Sequence, residues 1–334
     1  MTSLTTATPV AGKRRSSRRI PAPRYAPTLA TVGLFIAMFA IGSGMYPNFG
    51  SPQVFLNLFI DNNFLLVVAV GMTFVILSGG IDLSVGAVVA LSMMASAKLL
   101  QQGWNPAAVI VLVLVLGALF GTVMGLLIQY FDIQPFIVTL AGMFLARGLS
   151  YMISLDAIPI RDPFYTVMAQ ARIGVRSVAF VSAGVLLALV VVAIAFVVLH
   201  HTRFGRTVYA IGGNENSAVL MGLAVTRTKV LVYGVSGLCS AIGGILFSLY
   251  SLSGFPQAGI GMELDAIAAV VVGGALLTGG SGYLVGSVVG VLVLGLVQTF
   301  IEFNGTLSSW WTRIFIGTLL LGFILLQRLF SRRA

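Results

Sequence analysis

Few side chains in this sequence are equipped for covalent chemistry. Its 334 residues hold two histidines, one cysteine, three lysines and nine carboxylates. His200 and His201 abut each other at the end of an apolar run, where the negative end of a helix dipole favours a cation. They lack metal-ligand spacing and read as caps, so no metal site is expected. Cys239, alone in an apolar stretch, excludes a disulfide framework or a multi-thiolate metal site within the chain. No nucleophile sits near a base, so no catalytic residue is expected and an enzyme reading is disfavoured. A P-loop needs Gly-x4-Gly-Lys-Ser/Thr, whose amides and lysine cradle phosphates. Lys13, Lys98 and Lys229 are followed by Arg14, Leu99 and Val230. The chain therefore has no ATPase loop of this kind, and any ATP chemistry would lie on another subunit.

The informative residues are instead glycines, small polar groups and isolated charges. Ser78-Gly79-Gly80-Ile81-Asp82-Leu83-Ser84 interrupts a long apolar stretch. Asp82 has two readings: a cap for the free amides of a following helix, or a functional carboxylate in lipid. Residues 78–90 and 278–290 align at a constant offset of 200 with six identities in thirteen, including Gly79/Gly279 and Gly80/Gly280. Chance matching of glycine-rich apolar sequence competes with a true internal repeat, but both copies place a Gly-Gly break between spans, as transporter pathways do. Gly-x3-Gly-x3-Gly occurs at Gly117-Gly121-Gly125 and Gly282-Gly286-Gly290 and is assigned to close helix packing, with a hinge role open for the second copy. Arg147 and Arg313 either snorkel to an interface or pair with polar partners. Glu263 and Asp265 read as first-turn acids of a helix. A polar loop places Gly212-Gly213-Asn214 ahead of a short helix, with Asn214 as N-cap, Glu215 complementing the dipole and Gly222 as terminator. Ala218, Val219, Met221 and Leu223 give that helix apolar surface suited to a groove on a partner; the other reading is a helix lying on the membrane.

The elements that must carry these residues are set by composition. The chain is 58% hydrophobic and 8% charged, with mean hydropathy +1.04. A soluble globular chain carries about a quarter charged residues, so a water-soluble reading is excluded. At roughly 20 residues per crossing the apolar residues supply about nine or ten transmembrane helices. Apolar runs place ten near 28–46, 54–78, 83–100, 107–128, 134–153, 178–199, 229–250, 264–278, 284–301 and 310–328. The expected fold is an all-α polytopic membrane protein: a basic disordered arm over 1–27, a transmembrane domain over 28–328 and a tail over 329–334. An external loop is expected at 154–177 and a cytoplasmic one at 200–228. Of 19 positive charges, 13 fall in the arm, the 200–228 loop and its edge, or the C-terminal end. The positive-inside rule then puts both termini in the cytoplasm, and no nucleic-acid partner is needed to explain the net charge of +10. Trp104, Trp310 and Trp311 would lie at the outer interface. Arg18-Arg19 invites a twin-arginine reading, but a long apolar run follows Ile20-Pro21-Ala22-Pro23, so a first anchor helix is expected rather than a cleaved signal.

Three segments carry a family resemblance. Ile76–Gly86, Val208–Gly222 and Leu264–Ala268 through Gly279-Gly280 resemble signature stretches of the membrane permeases of ribose/galactose-type ABC sugar importers, over about Val54 to Leu326. Pro135–Phe144 and Asn304–Arg313 resemble the galactofuranose branch of that family, in which two unlike permeases pair. The resemblance implies a bacterial inner-membrane permease that translocates a monosaccharide and binds no cofactor. It implies partner ATPases that hold ATP and Mg, a second permease and an external sugar-binding protein. Gly213, Asn214, Glu215, Ala218, Met221 and Gly222 would then couple to the ATPase. Gly79, Gly80, Asp82, Ser84, Gly279 and Gly280 would form hinges, and Thr73, Ser78, Ser84 and Thr139 would line a weakly polar path. The loop Asp156–Arg176 is the expected contact for the binding protein. An ion-coupled secondary transporter and an ABC permease for branched-chain amino acids are the alternatives, the former disfavoured by the scarcity of intramembrane carboxylates.

Overall fold

A computed structural model describes residues 26–175, 179–308 and 310–333. The arm expected over 1–27 lies, up to residue 25, outside the described residues. In chain order the elements are α1 (Ala26–Met45), α2 (Pro52–Leu77), α3 (Val85–Gln101), α4 (Pro106–Tyr130), α5 (Pro135–Ile153), β1 (Ile158–Pro159), α6 (Pro163–Gln170), β2 (Arg172–Val175), β3 (Ala179–Ser182), α7 (Ala183–His201), α8 (Arg203–Gly213), α9 (Glu215–Leu220), α10 (Val225–Ser251), β4 (Ser253–Gly254), α11 (Met262–Val272), α12 (Leu284–Asn304) and α13 (Trp310–Arg333). Proline opens α2, α4, α5 and α6, where its missing N–H costs nothing. The Ser51 and Asn105 side chains accept from Val54 and Ala107 amides at the starts of α2 and α4.

The protein is an all-α polytopic membrane protein. Among the described residues seven helices, α1, α2, α4, α5, α7, α10 and α12, are long and apolar enough to cross a bilayer, and α3 and part of α13 are shorter apolar helices. Burial separates them into layers: 83% of the apolar window of α2 is buried against 11% of that of α1. The centre is α2, α10 and α12, while α4, α5 and α7 turn residues such as Leu119, Phe144 and Val190 outward. In lipid such a surface is solvated, and cohesion comes from close packing. The glycine spacing supplies it. A Cβ on Gly121 would strike the Tyr233 carbonyl of α10, and one on Gly237 would strike the Gly117 carbonyl of α4. Gly286 and Gly290 of α12 meet Gly273, the C-cap of α11, and Ala269 of α11 in the same way.

Two expected spans are corrected. The run 264–278 is not a full crossing: α11 has 11 residues, about 16 Å of helix against a hydrocarbon core of about 30 Å. It stops at Gly273, and positive φ at Gly274 (98°), Gly279 (86°) and Gly280 (73°) carries the chain on without helical hydrogen bonding. The run 178–199 begins later, because 179–182 pairs antiparallel with 172–175 as a hairpin before α7 opens at Ala183. At the other boundaries α13 continues through the expected tail to Arg333, and the 200–228 loop is two helices, α8 and α9, rather than one.

Candidate functional site

The two Gly-Gly breaks, 200 residues apart in sequence, meet in space. α2 ends at Leu77 and α3 starts at Val85; the second break lies between α11 and the start of α12 at Leu284. The Gly280 amide donates to the Leu77 carbonyl at 2.9 Å. Gly79 has φ of 81°, and a Cβ on Gly279 would lie 2.8 Å from the Gly79 nitrogen. A third pair closes the cluster. Gly212, at the end of α8, packs so tightly that a Cβ there would overlap the Leu77 carbonyl oxygen and the Gly280 nitrogen. A Cβ on Gly280 would lie 2.6 Å from the Gly213 nitrogen. Three glycine pairs from three separate elements thus touch through bare backbone. The Tyr209 hydroxyl donates to the Gly282 carbonyl at 2.8 Å and clamps α8 to the second break.

Asp82 does not act as a simple helix cap. It is 2% exposed. Its Oδ1 accepts from the Ser84 amide at 2.9 Å and the Ser84 hydroxyl at 2.6 Å, while Oδ2 accepts from the Ser236 hydroxyl of α10 at 2.7 Å. The carboxylate shapes the break locally and ties it to a central helix. Thr73, Ser78, Ser84 and Thr139 are all buried in this conformation. Thr73 donates to the Ala69 carbonyl and accepts from the Ser287 hydroxyl of α12, Ser78 donates to the Val75 carbonyl, and Thr139 to the Pro135 carbonyl. They face packed protein.

Beyond the junction stands α9. Asn214 caps it, its Oδ1 accepting from the Ser217 amide at 2.8 Å, and Gly222, at φ of 74°, ends it. Glu215 is held by the Lys229 ammonium at 2.6 Å. Ala218 faces inward, fully buried with Ile211 and Val225, so its expected place on a partner surface is corrected: it anchors the helix. The exposed apolar side chains are Val219, Leu220 and Met221, Leu220 being 88% exposed. Spacing does not single out Leu220 in the sequence, because facing depends on how the six-residue helix is seated.

Arg147 and Arg313 resolve toward pairing. Arg147 donates to the Pro256 and Ala258 carbonyls, each at 2.7 Å, and Arg313 donates to the Ile260 carbonyl and lies 3.5 Å from Asp265. Together they supply donors to the irregular segment leading into α11, which lipid could not satisfy. The acids Glu263 and Asp265 do lie in the first turn of α11. At the opposite end from α8 and α9, Gln53 pairs both ways with the Phe180 backbone and holds the β2–β3 hairpin on α2. The Arg172 guanidinium lies 4.6 Å over the Phe180 ring. Among the described residues no three His, Cys, Asp or Glu side chains cluster as a metal site.

Residues 54–324 match the family described as branched-chain amino acid transport system / permease component. The chain belongs to this permease family. It is 48% identical over 306 residues to the inner membrane ABC transporter permease protein YjfF of Escherichia coli, covering 91% of this chain and 92% of that one. It is 42% identical to the fructose import permease protein FruG of Bifidobacterium longum, over 90% of each chain. It is 40% identical to the ribose import permease protein RbsC of Bacillus subtilis, over 89% of this chain and 91% of that one. No solved structure matches it significantly. The chain is accordingly a multi-pass cytoplasmic-membrane permease component of an ABC system, a class distinct from the ATPase subunits.

Proposed function

We propose that this chain is one of two permease subunits of an ABC importer that carries a monosaccharide inward, driven by ATP hydrolysis on partner subunits. Galactofuranose is the proposed cargo, on the resemblance of Pro135–Phe144 and Asn304–Arg313 to that branch; the similarity to fructose and ribose permeases supports a monosaccharide more generally. ATP and Mg belong to the partner ATPases. The end bearing α8 and α9 faces the cytoplasm, as do both termini, and the 156–176 loop with its hairpin meets an external sugar-binding protein.

One observation carries the mechanism: α8 joins the apolar knob Val219–Met221 to both membrane breaks through the Gly212–Leu77–Gly280 contact. A knob seated in a groove of the ATPase moves when the ATPases close, and a helix is stiff enough to pass that displacement on. At the junction it bears on two segments whose glycines absorb φ/ψ change. Displacing them tilts α3 and α12, which start immediately afterwards. The test is uptake in liposomes holding the co-purified subunits. ATP-dependent accumulation of labelled galactofuranose, blocked by omitting the ATPase, is expected. Accumulation by the chain alone on a proton or sodium gradient would refute the reading. The family description favours one second cargo, a branched-chain amino acid. Competition of uptake by leucine and not by sugar would select it.

A further inference from the structure

A cavity of about 370 Å³ lies beside the junction, between the end of α7, α8 and the 280–283 loop. His200, Arg206 and Tyr209 line it. No carboxylate lines it, and among the described residues Arg206 has no ion-pair partner. The His200 ring is stacked 4.6 Å from Phe196 and 5.9 Å from Tyr283, and its Nε2 has no hydrogen-bond partner. The cavity is positive and aromatic, and its position says what it would meet. On α7, Leu187, Val190, Ile194 and Val197 are all exposed, spaced three or four residues apart along one face. His201, the next position of that stripe, is also exposed and ends the helix. His200, three residues beyond Val197, lines the cavity, so an acyl chain lying along the stripe would bring its headgroup to the cavity mouth.

We propose that this cavity seats the phosphodiester of an anionic phospholipid, with Arg206 as the charge partner and the acyl chains along the exposed face of α7. A guanidinium suits a phosphodiester because it offers two parallel donors, and tyrosine suits the interface between apolar and wet layers. Basic pockets at the ends of membrane helices recognise such headgroups. The site adjoins the second Gly-Gly break through Gly280, so a bound headgroup would stiffen that segment.

Thermal unfolding of the detergent-purified complex tests this with three additions: phosphatidylglycerol, phosphatidylcholine and inorganic phosphate. Phosphatidylglycerol is expected to raise the midpoint by about 2–4 °C over phosphatidylcholine. Arg206→Gln should lose that increment, while Arg203→Gln, on the same helix but outside the cavity, should keep it. Equal midpoints in the two lipids for the unaltered protein overturn the proposal, as does an undiminished increment in Arg206→Gln. Inorganic phosphate protecting as well as phosphatidylglycerol would assign a free anion and overturn the lipid. Because the unaltered protein already decides between lipids, a variant that fails to fold leaves the test intact.

Discussion

Replacing Gly212 by alanine tests the transmission path at its narrowest point. The added methyl would overlap the Leu77 carbonyl oxygen and the Gly280 nitrogen, and would lie 3.0 Å from the Leu77 carbonyl carbon. Those same two atoms share the 2.9 Å hydrogen bond that joins the breaks. Every neighbour is backbone, so no side chain can swing aside. Either the bond opens, or the end of α8 withdraws against the Tyr209–Gly282 clamp. Leaving a buried amide and a buried carbonyl unpaired costs about 1–3 kcal/mol for each group, enough together to shift a balance between two transport states about tenfold or more. Gly213 is the control, because an added Cβ there meets nothing within 4 Å and its φ is not positive. Gly212→Ala should insert and still co-purify with the ATPase, yet lose at least about 90% of ATP-driven uptake. Gly213→Ala should remain near normal. Normal uptake in Gly212→Ala at equal membrane abundance, or equal loss in the two variants, would refute a path through this contact.

Leu220→Asp should abolish co-purification with the ATPase while leaving the purified chain as stable as before, since the side chain is 88% exposed; retained association would move the docking surface elsewhere. Ala218→Leu should instead lower thermal stability by about 1–3 kcal/mol through overpacking against Ile211 and Val225, read as a shifted unfolding midpoint. Asp82→Asn should cost about 1 kcal/mol or less, because Asn keeps one acceptor for Ser84 and the Ser236 hydroxyl can turn to accept from its amide; Asp82→Leu strands three donors and should lose both yield and uptake. A severe transport defect in Asp82→Asn at normal yield would assign the carboxylate a role beyond holding the break. Gly121→Val should reduce the yield of folded protein, since its side chain would force α4 off the Tyr233 carbonyl of α10, and size-exclusion profiles would show it.

Sequence alone determined the solvent, the all-helical membrane class and the absence of a P-loop. Those follow from composition and from runs of about 20 apolar residues, which are local properties governed by the thickness of the bilayer. Each of the ten expected spans contains a helix, and both Gly-Gly interruptions were visible as breaks. Facing and length at the breaks were not. The run 264–278 is as apolar as a true crossing; only glycines seated against other backbones, with φ values a side chain would strain, shorten it to a half-helix. Ala218 and Leu220 sit two residues apart in one short helix, and which of them points outward depends on Ile211 and Val225 rather than on spacing. Tertiary structure alone brought Gly79, Gly212 and Gly279 together. Contacts between bare backbones leave no side-chain pattern to read, and their energy depends on tenths of an ångström fixed by the whole bundle.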